Sequence, residues 1–478
     1  MTDLPHNMLG VALPAQLPDR AYFIAIAGTG MGSLAAVLQS HGVQVTGSDK
    51  SAWPPIGPML ERMGVHLRMP YAAENVPSDA PLVVIGNAVG REHPEVKRVL
   101  DLGLPYASMS EVLAVYVLRE RPVYVAAGTH GKTTSSAALA YLLHALGANP
   151  GYLIGGQPVN FETSGRWGGT QAPFAIEGDE YSSVYYDNGP KFAKYKPSGV
   201  VLPSLEFDHA DVYASEADYQ SAFSGWFERN PEALVCLDAS WPMARTIAPG
   251  IRRRLQLGRR KSDEIHLTIH SLGERPRFSL AVRGQSLGTF ETQLPGEHNC
   301  KNLALVIAML AEHGYSPARM AEALPAFASV EKRQSVLYDG VSQGRGAVIW
   351  DFGHHPSEIR ATLAALRARW PQATICAAFE PRSYSSRRKV HEAGFKSAFA
   401  EAQQLVLAPV FNGEAIVQSE RLDTAAVAAA HGAARACLSA SELEQCVRQW
   451  PRDAVRVFFS NGDFEALPTR LAQELAHA

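Results

Sequence analysis

VYVAAGTHGKTTSSAALAYLL, residues 123–143, passes from a buried β-branched strand through a glycine-punctuated turn into a helix that opens on Lys132, Thr133 and Thr134. In such a turn the backbone amides from Gly128 through Thr129, His130 and Gly131 to Lys132 can face phosphate oxygens, while the helix presents the positive end of its dipole. Lys132 is then placed to reach β and γ phosphates, and Thr133 to hold Mg²⁺. The general phosphate loop, G-x-x-x-x-G-K-[ST], asks for glycine where this chain has Ala126. The turn is therefore either a damaged nucleotide site or a nucleotide site of another form.

A chain of 478 residues exceeds what one core usually supports, so two or three domains are expected. Lys and Arg total 44 against 47 Asp and Glu, and the net charge of -3 supplies no long-range attraction for nucleic acid or an anionic membrane. Five dispersed cysteines without C-x-x-C spacing argue against a zinc or disulfide framework and for buried free thiols. The N-terminal stretch lacks a basic segment followed by an apolar one, and no apolar run is long enough to span a bilayer. A cytoplasmic protein without membrane partners is expected, as a monomer or weak homodimer.

The pattern from Tyr22, strand (YFIAIA), glycine turn (GTGMGS), helix (LAAVLQSHG) and strand (VQVTGSD), is a βαβ unit, and PLVVIGNAV at 81–89 continues its sheet. A break near RERP separates a first α/β domain, residues 1–117, from a second, 118–326, that contains the phosphate-type loop. Short alternating segments between 250 and 295 predict an antiparallel patch inserted in or appended to the second domain. From GAVIWDFGHHP onward strands and helices alternate again, giving a third parallel-sheet domain at 327–478.

Polar clusters stand at several element junctions. In GTGMGS, residues Gly28, Thr29, Gly30, Met31, Gly32 and Ser33 approximate a dinucleotide turn whose third glycine is Ser33, with Asp49 ending the next strand where a ribose ligand is expected. Alone, that turn suits a dinucleotide, a nucleotide sugar or a tight βα corner. AIEGDEYSS puts Glu177, Asp179 and Glu180 after an apolar strand, where carboxylates can take a metal. LEFDHADVY places Asp208 and His209 at another strand end. Asn299 and Asn302 share one face of a starting helix, suited to capping or to holding a base. His354 and His355 precede Pro356, and EPRSYSSRRK gathers Arg382, Arg387, Arg388 and Lys389 as a carboxylate or phosphate pocket or a solvated basic loop.

With these pieces in this order the chain resembles the Mur ligases, ATP-dependent amide-forming enzymes of peptidoglycan synthesis, over nearly its full length. The G-T-x-G-K-T-T form resembles that family's own phosphate loop, which starts at the position of Gly128, so Ala126 marks a different site and not damage. The fold implied is α/β with three domains: a Rossmann-like UDP-binding domain, a P-loop ATPase domain and a Rossmann-like C-terminal domain. GTGMGS, EGDEYSS, EFDHADVY and DFGHHP resemble the muramate-charging branch. TGSDKSAWPPIGPML, VVIGNAVGREHPEV, YYDNGPKF, EPRS and FFSNGDF resemble its recycling members, which join a ready-made tripeptide.

The resemblance implies ATP and Mg²⁺ as cofactors, and UDP-N-acetylmuramate with the murein tripeptide L-alanyl-γ-D-glutamyl-meso-diaminopimelate as substrates. L-Alanine as the amine, and a non-catalytic sensor of UDP-sugar and ATP, are the alternatives. Lys132, Glu177 and His209 become the expected catalytic residues, with Mg²⁺ on Thr133 and Glu177 and a second Mg²⁺ reached by His209. Asn299 and Asn302 are expected beside adenine, with Arg333 and Asp351 near phosphates and ribose. Gly28 to Ser33, Asp49 and Asn87 are expected at the UDP-sugar, and His354, Arg382 and Ser383 at the peptide. Two departures stand out: Trp350 replaces the first of two acids usual before the FGHHP-like stretch, and no lysine follows His209 until Lys261, so a carbamylated lysine has no candidate.

Overall fold

The structure, a computed structural model, describes residues 5–209 and 212–477, so Ala210 and Asp211 of the LEFDHADVY stretch lie outside it. Among the described residues three large sheets divide the chain, and a separate two-stranded hairpin pairs Ser182–Val184 with Asp187–Pro190. In the first, parallel strands run in the order His66–Arg68, Gln44–Ser48, Arg20–Ile24, Val83–Ile85 and Tyr106–Ser108. The order reverses direction beside Arg20–Ile24, and the glycine turn leaves the carboxyl end of that strand, where open α/β sheets form their ligand crevice. The segment predicted as a strand over 81–89 pairs only through Val83–Ile85, leaving Asn87 exposed beyond the ladder.

Ten strands form the central sheet, with Val123–Ala127 between Gly199–Leu202 and Phe174–Gly178, all three parallel. Every residue of these three strands is buried, as expected for a parallel sheet covered on both faces. The antiparallel patch is part of this same sheet: Ile265–Ser271, Arg277–Val282 and Gln285–Glu291 extend it beyond Arg254–Gly258. Its last hairpin turns at Arg283 and Gly284, both with positive φ. One face carries the helices Lys132–Ala145 and Glu297–Glu312; on the other, Trp226 and Phe223 of the helix Glu216–Arg229 pack with Phe192.

In the third sheet the last strand in sequence, Val455–Phe459, lies between Ala347–Asp351 and Ile375–Phe379, parallel to both. Ser335–Asp339 adds an antiparallel edge. Cys236, Cys300, Cys376 and Cys437 are buried free thiols, and Cys446 is partly exposed. Among the described residues no helix is long and apolar enough to cross a membrane.

Candidate active site

The helix Lys132–Ala145 starts from Gly131 at φ 80°, and Gly128 lies at φ 113°. A Cβ on Gly128 would sit 2.2 Å from the Ser204 carbonyl oxygen, so only glycine lets the loop lie against the neighbouring strand end. Thr129 fastens the same contact: its hydroxyl donates to the Glu206 carbonyl at 2.7 Å and accepts from the Glu206 amide at 3.0 Å. Lys132 folds back over the loop, with Nζ 2.9 Å from the Gly128 carbonyl, 3.1 Å from that of Thr129 and 2.8 Å from Glu180. Burial opposes its charge, but Glu180 and Asp179 outweigh burial and hold the ammonium above its ordinary value.

Two carboxylates of the acidic cluster take different directions. Glu177 is buried with Oε1 2.6 Å from the Gly155 amide and Oε2 3.3 Å from the Thr133 hydroxyl. Burial, with the Asp179 charge beside it, pushes Glu177 up to about 6. Glu180 instead bridges Lys132 and His209, whose Nε2 is 3.0 Å away. Burial pulls His209 down, and its hydrogen bond to Glu180 reverses that into a net rise. Glu180 stood in the acidic cluster in sequence, but nothing in the spacing distinguished its role from that of Glu177.

A cavity of about 760 Å³ opens between the second and third domains. His130, Gly131, Asn299, Asn302, Arg333 and Asp351 are among the residues lining it. Asn302 stands against Gly131, whose added Cβ would meet Oδ1 at 2.9 Å, whereas the Asn299 amide donates to the Pro295 carbonyl at 2.8 Å. Arg333 lies 4.8 Å over the Phe352 ring and 3.5 Å from Glu358. Asp351 accepts from the Gln334 and Gly353 amides, each at 2.8 Å.

Burial pushes the Asp351 carboxyl up to about 6. The folded chain therefore holds a proton that the unfolded chain, with an ordinary aspartate, has released between about pH 4 and pH 6, so stability falls as pH rises through that window. Asp351→Asn is expected to flatten this slope by about 2–3 kcal/mol, read from denaturant unfolding of wild type and variant at the two ends of the window. Parallel slopes for the two proteins would refute it.

Side chains from the third domain reach the phosphate loop and the strand ends beside it. His130 contacts Glu206 on one ring nitrogen and Glu358 at 3.4 Å on the other. His355 Nδ1 lies 3.2 Å from Glu206, and burial next to the His130 charge pushes that imidazole down to about 3, leaving it neutral. The Ser385 hydroxyl donates to Asp208 at 2.6 Å, which ties the loop carrying Arg382 and Ser383 to Asp208. Arg382 covers the Phe411 ring at 4.0 Å, Ser383 bonds Ser386 at 2.8 Å, and His354 lies 3.7 Å from Glu358. Glu206 and Glu358 were not singled out in sequence; the only local signal was the place of Glu358 at the third helical position after His355, a capping position.

The first-domain residues separate into two groups. Gly28 and Thr29 are exposed and Gly30 partly so, while Asp49 at the end of the neighbouring strand accepts from the Ala27 amide at 2.8 Å and from the Tyr71 hydroxyl at 3.2 Å. Met31 joins the core, and Gly32 packs where an added Cβ would meet Ile56 at 2.4 Å. Ser33 is fully buried, with its hydroxyl on Ser164 at 2.7 Å and on the Ile154 carbonyl at 3.1 Å, so it holds the first domain to the second. Lys191, absent from the expected set, places Nζ 3.0 Å from Asp179 and 3.9 Å from where a Cβ on Gly30 would be.

Three family models match in succession: Mur ligase family, catalytic domain, over residues 20–121; Mur ligase middle domain over 126–310; and Mur ligase, glutamate ligase domain, over 332–458. The chain is 34% identical to the UDP-N-acetylmuramate–L-alanyl-gamma-D-glutamyl-meso-2,6-diaminoheptandioate ligase of Escherichia coli (strain K12), across 81% of this chain and 84% of that protein. The chain belongs to the Mur ligase family. It is also 31% identical to a UDP-N-acetylmuramate–L-alanine ligase of Chlorobium phaeobacteroides, across 82% of each protein. A solved murein peptide ligase from Psychrobacter arcticus superposes with a TM-score of 0.72 at 28% identity, covering 96% of this chain and 99% of that one.

Around Trp350 of this Mur ligase, Lys332 Nζ lies 4.2 Å over the ring as a cation–π contact and donates to the Gly462 carbonyl at 3.1 Å.

Proposed function

We propose that this Mur ligase joins the lactyl carboxylate of UDP-N-acetylmuramate to the α-amine of L-alanyl-γ-D-glutamyl-meso-diaminopimelate, with ATP supplying the driving force. The observation that carries the reading is the meeting of Lys132, Glu177, Glu180 and His209 around one phosphate loop, with the third domain facing it. A carboxylate resists an amine because it is anionic and lacks a leaving group. Transfer of the γ-phosphoryl group makes it an acyl phosphate, which the amine opens with loss of phosphate.

The donors fit Mg²⁺: a hydroxyl on Thr133, buried carboxylate oxygens on Glu177, and His209 beside Glu180. Thr133, Glu177 and His209 would hold Mg²⁺, which would supply positive charge against the transferring phosphoryl group. Lys132 adds a fixed cation on the β and γ side, and Asn302, Arg333 and Asp351 line the nucleotide cavity. Gly28 to Gly30 and Asp49 hold the UDP-sugar in the first-domain cleft. With sites split between domains, ligand-driven closure also keeps water from the acyl phosphate.

The amine is assigned to the tripeptide because Arg382 and Ser383 stand on the loop tied to Asp208, offering a cation where a peptide carboxylate would arrive. Phosphate release from ATP and UDP-N-acetylmuramate is expected to be at least about tenfold more efficient with the tripeptide than with L-alanine, a difference of roughly 1.4 kcal/mol. Preference for L-alanine would transfer the chain to the alanine-adding reading. No release with either amine would favour the sensor.

A further inference from the structure

We propose that His130, Glu206 and His355 form a binding site for a borderline divalent transition ion of the Zn²⁺ class, separate from the positions assigned to Mg²⁺. The three residues come from three segments: the phosphate loop, the irregular segment that carries Glu206 after the strand Gly199–Leu202, and the N-cap of the third-domain helix Pro356–Arg369. One ligand atom from each lies within 4.8 Å of the others.

The donor set is two imidazoles and one carboxylate, which suits zinc and leaves a fourth position open; at the positions assigned to Mg²⁺ oxygen donors predominate, with His209 the single imidazole. The position of His355 adds a second argument. Its Nδ1 lies 3.2 Å from Oε1 of Glu206, and the lone pair that accepts from the Ser357 amide at 3.3 Å would turn to the ion on binding. The separation of Nδ1 and Oε1 is near the ligand-to-ligand spacing of about 3.3–3.5 Å that tetrahedral bonds of about 2.0–2.2 Å generate. The His130–Glu206 contact is tighter and would lengthen to admit the ion.

The surroundings match a metal site as well. The second nitrogen of His130 faces Glu358 at 3.4 Å, the carboxylate–histidine arrangement that orients a metal-bound imidazole. His355 and Glu206 are 7% and 26% exposed and His130 13%, so the cluster is enclosed but reachable from the cavity beside it. An ion held here joins the third domain to the phosphate loop and so opposes the opening on which product release depends.

Two measurements on the full chain test the assignment. Crystals grown with Zn²⁺ and excess Mg²⁺ are expected to show anomalous scattering at the zinc edge between His130, Glu206 and His355. A peak confined to Glu177 or His209, or no peak, would overturn the proposal. In solution, competition against a chromophoric chelator is expected to show Zn²⁺ affinity weakened at least about tenfold in both His355→Ala and Glu206→Gln, with His209→Ala retaining this site. Unchanged affinity in the first two variants would overturn it equally. If either variant fails to fold, the anomalous map of the wild-type chain decides alone.

Discussion

Lys132→Ala is expected to lower phosphate release by about 10³-fold or more while the chain still melts cooperatively near the wild-type temperature. The activity loss follows from position: Lys132 Nζ hangs over the phosphate loop, within 3.1 Å of two of its carbonyls, in a largely enclosed site where a fixed cation is strongest. The stability expectation follows from Glu180. Removing one partner of a buried ion pair ordinarily costs several kcal/mol by stranding the other charge. Here Glu180 retains His209 at 3.0 Å, so the carboxylate keeps a hydrogen-bonding partner after the lysine is gone. Release within tenfold of wild type would remove Lys132 from the reaction; collapse of the melt would show that the lysine serves the fold first.

Trp226→Ala carries the largest expected loss of stability, about 3–5 kcal/mol. Trp226 is completely buried, packs on Phe192 with ring centroids 4.7 Å apart, and donates its indole N–H to the Tyr195 carbonyl at 3.0 Å. Truncation leaves both a cavity and an unpaired carbonyl. The damage should reach the site, because Phe192 packs on Phe223, Phe223 on Tyr219, and the Tyr219 hydroxyl lies 3.2 Å from that of Thr129. Chemical denaturation of the variant should give the stability change, and its KM for ATP should rise as Thr129 loses support. Trp226→Phe, which refills most of the volume, should lose much less. A loss below about 1 kcal/mol for the alanine variant would mean that the domain collapses around the gap.

The glycine turn and helix start of the candidate site were readable in the sequence because they depend on local chain geometry. A glycine that must take φ 113°, a lysine and two threonines opening a helix, and an apolar strand before them make a phosphate turn wherever they occur together. Asn302 was readable for a similar reason, since helical spacing placed it one turn from Asn299. Ser33 was not: the same turn that suggests a ligand also fits an interdomain contact, and only the approach of Ile154 and Ser164 separates the two. Local spacing also said nothing of the strand order that sets Val455–Phe459 in the middle of the third sheet.

The amino-acid order by itself determined the three α/β units, the phosphate turn at Gly128 to Thr134 and the acidic strand end after Phe174, because periodicity, glycine conformation and helix initiation act over a few residues. Only the tertiary structure decided that Glu180 bridges Lys132 and His209, that Ser33 joins the first domain to the second, and that Glu206 and His130 of the second domain meet His355 and Glu358 of the third. Those pairings link residues from 29 to 228 positions apart, as for Glu180 with His209 and His130 with Glu358. Charge pairing at such separations depends on which strand ends and domain faces are brought together, and no local preference of the chain encodes that.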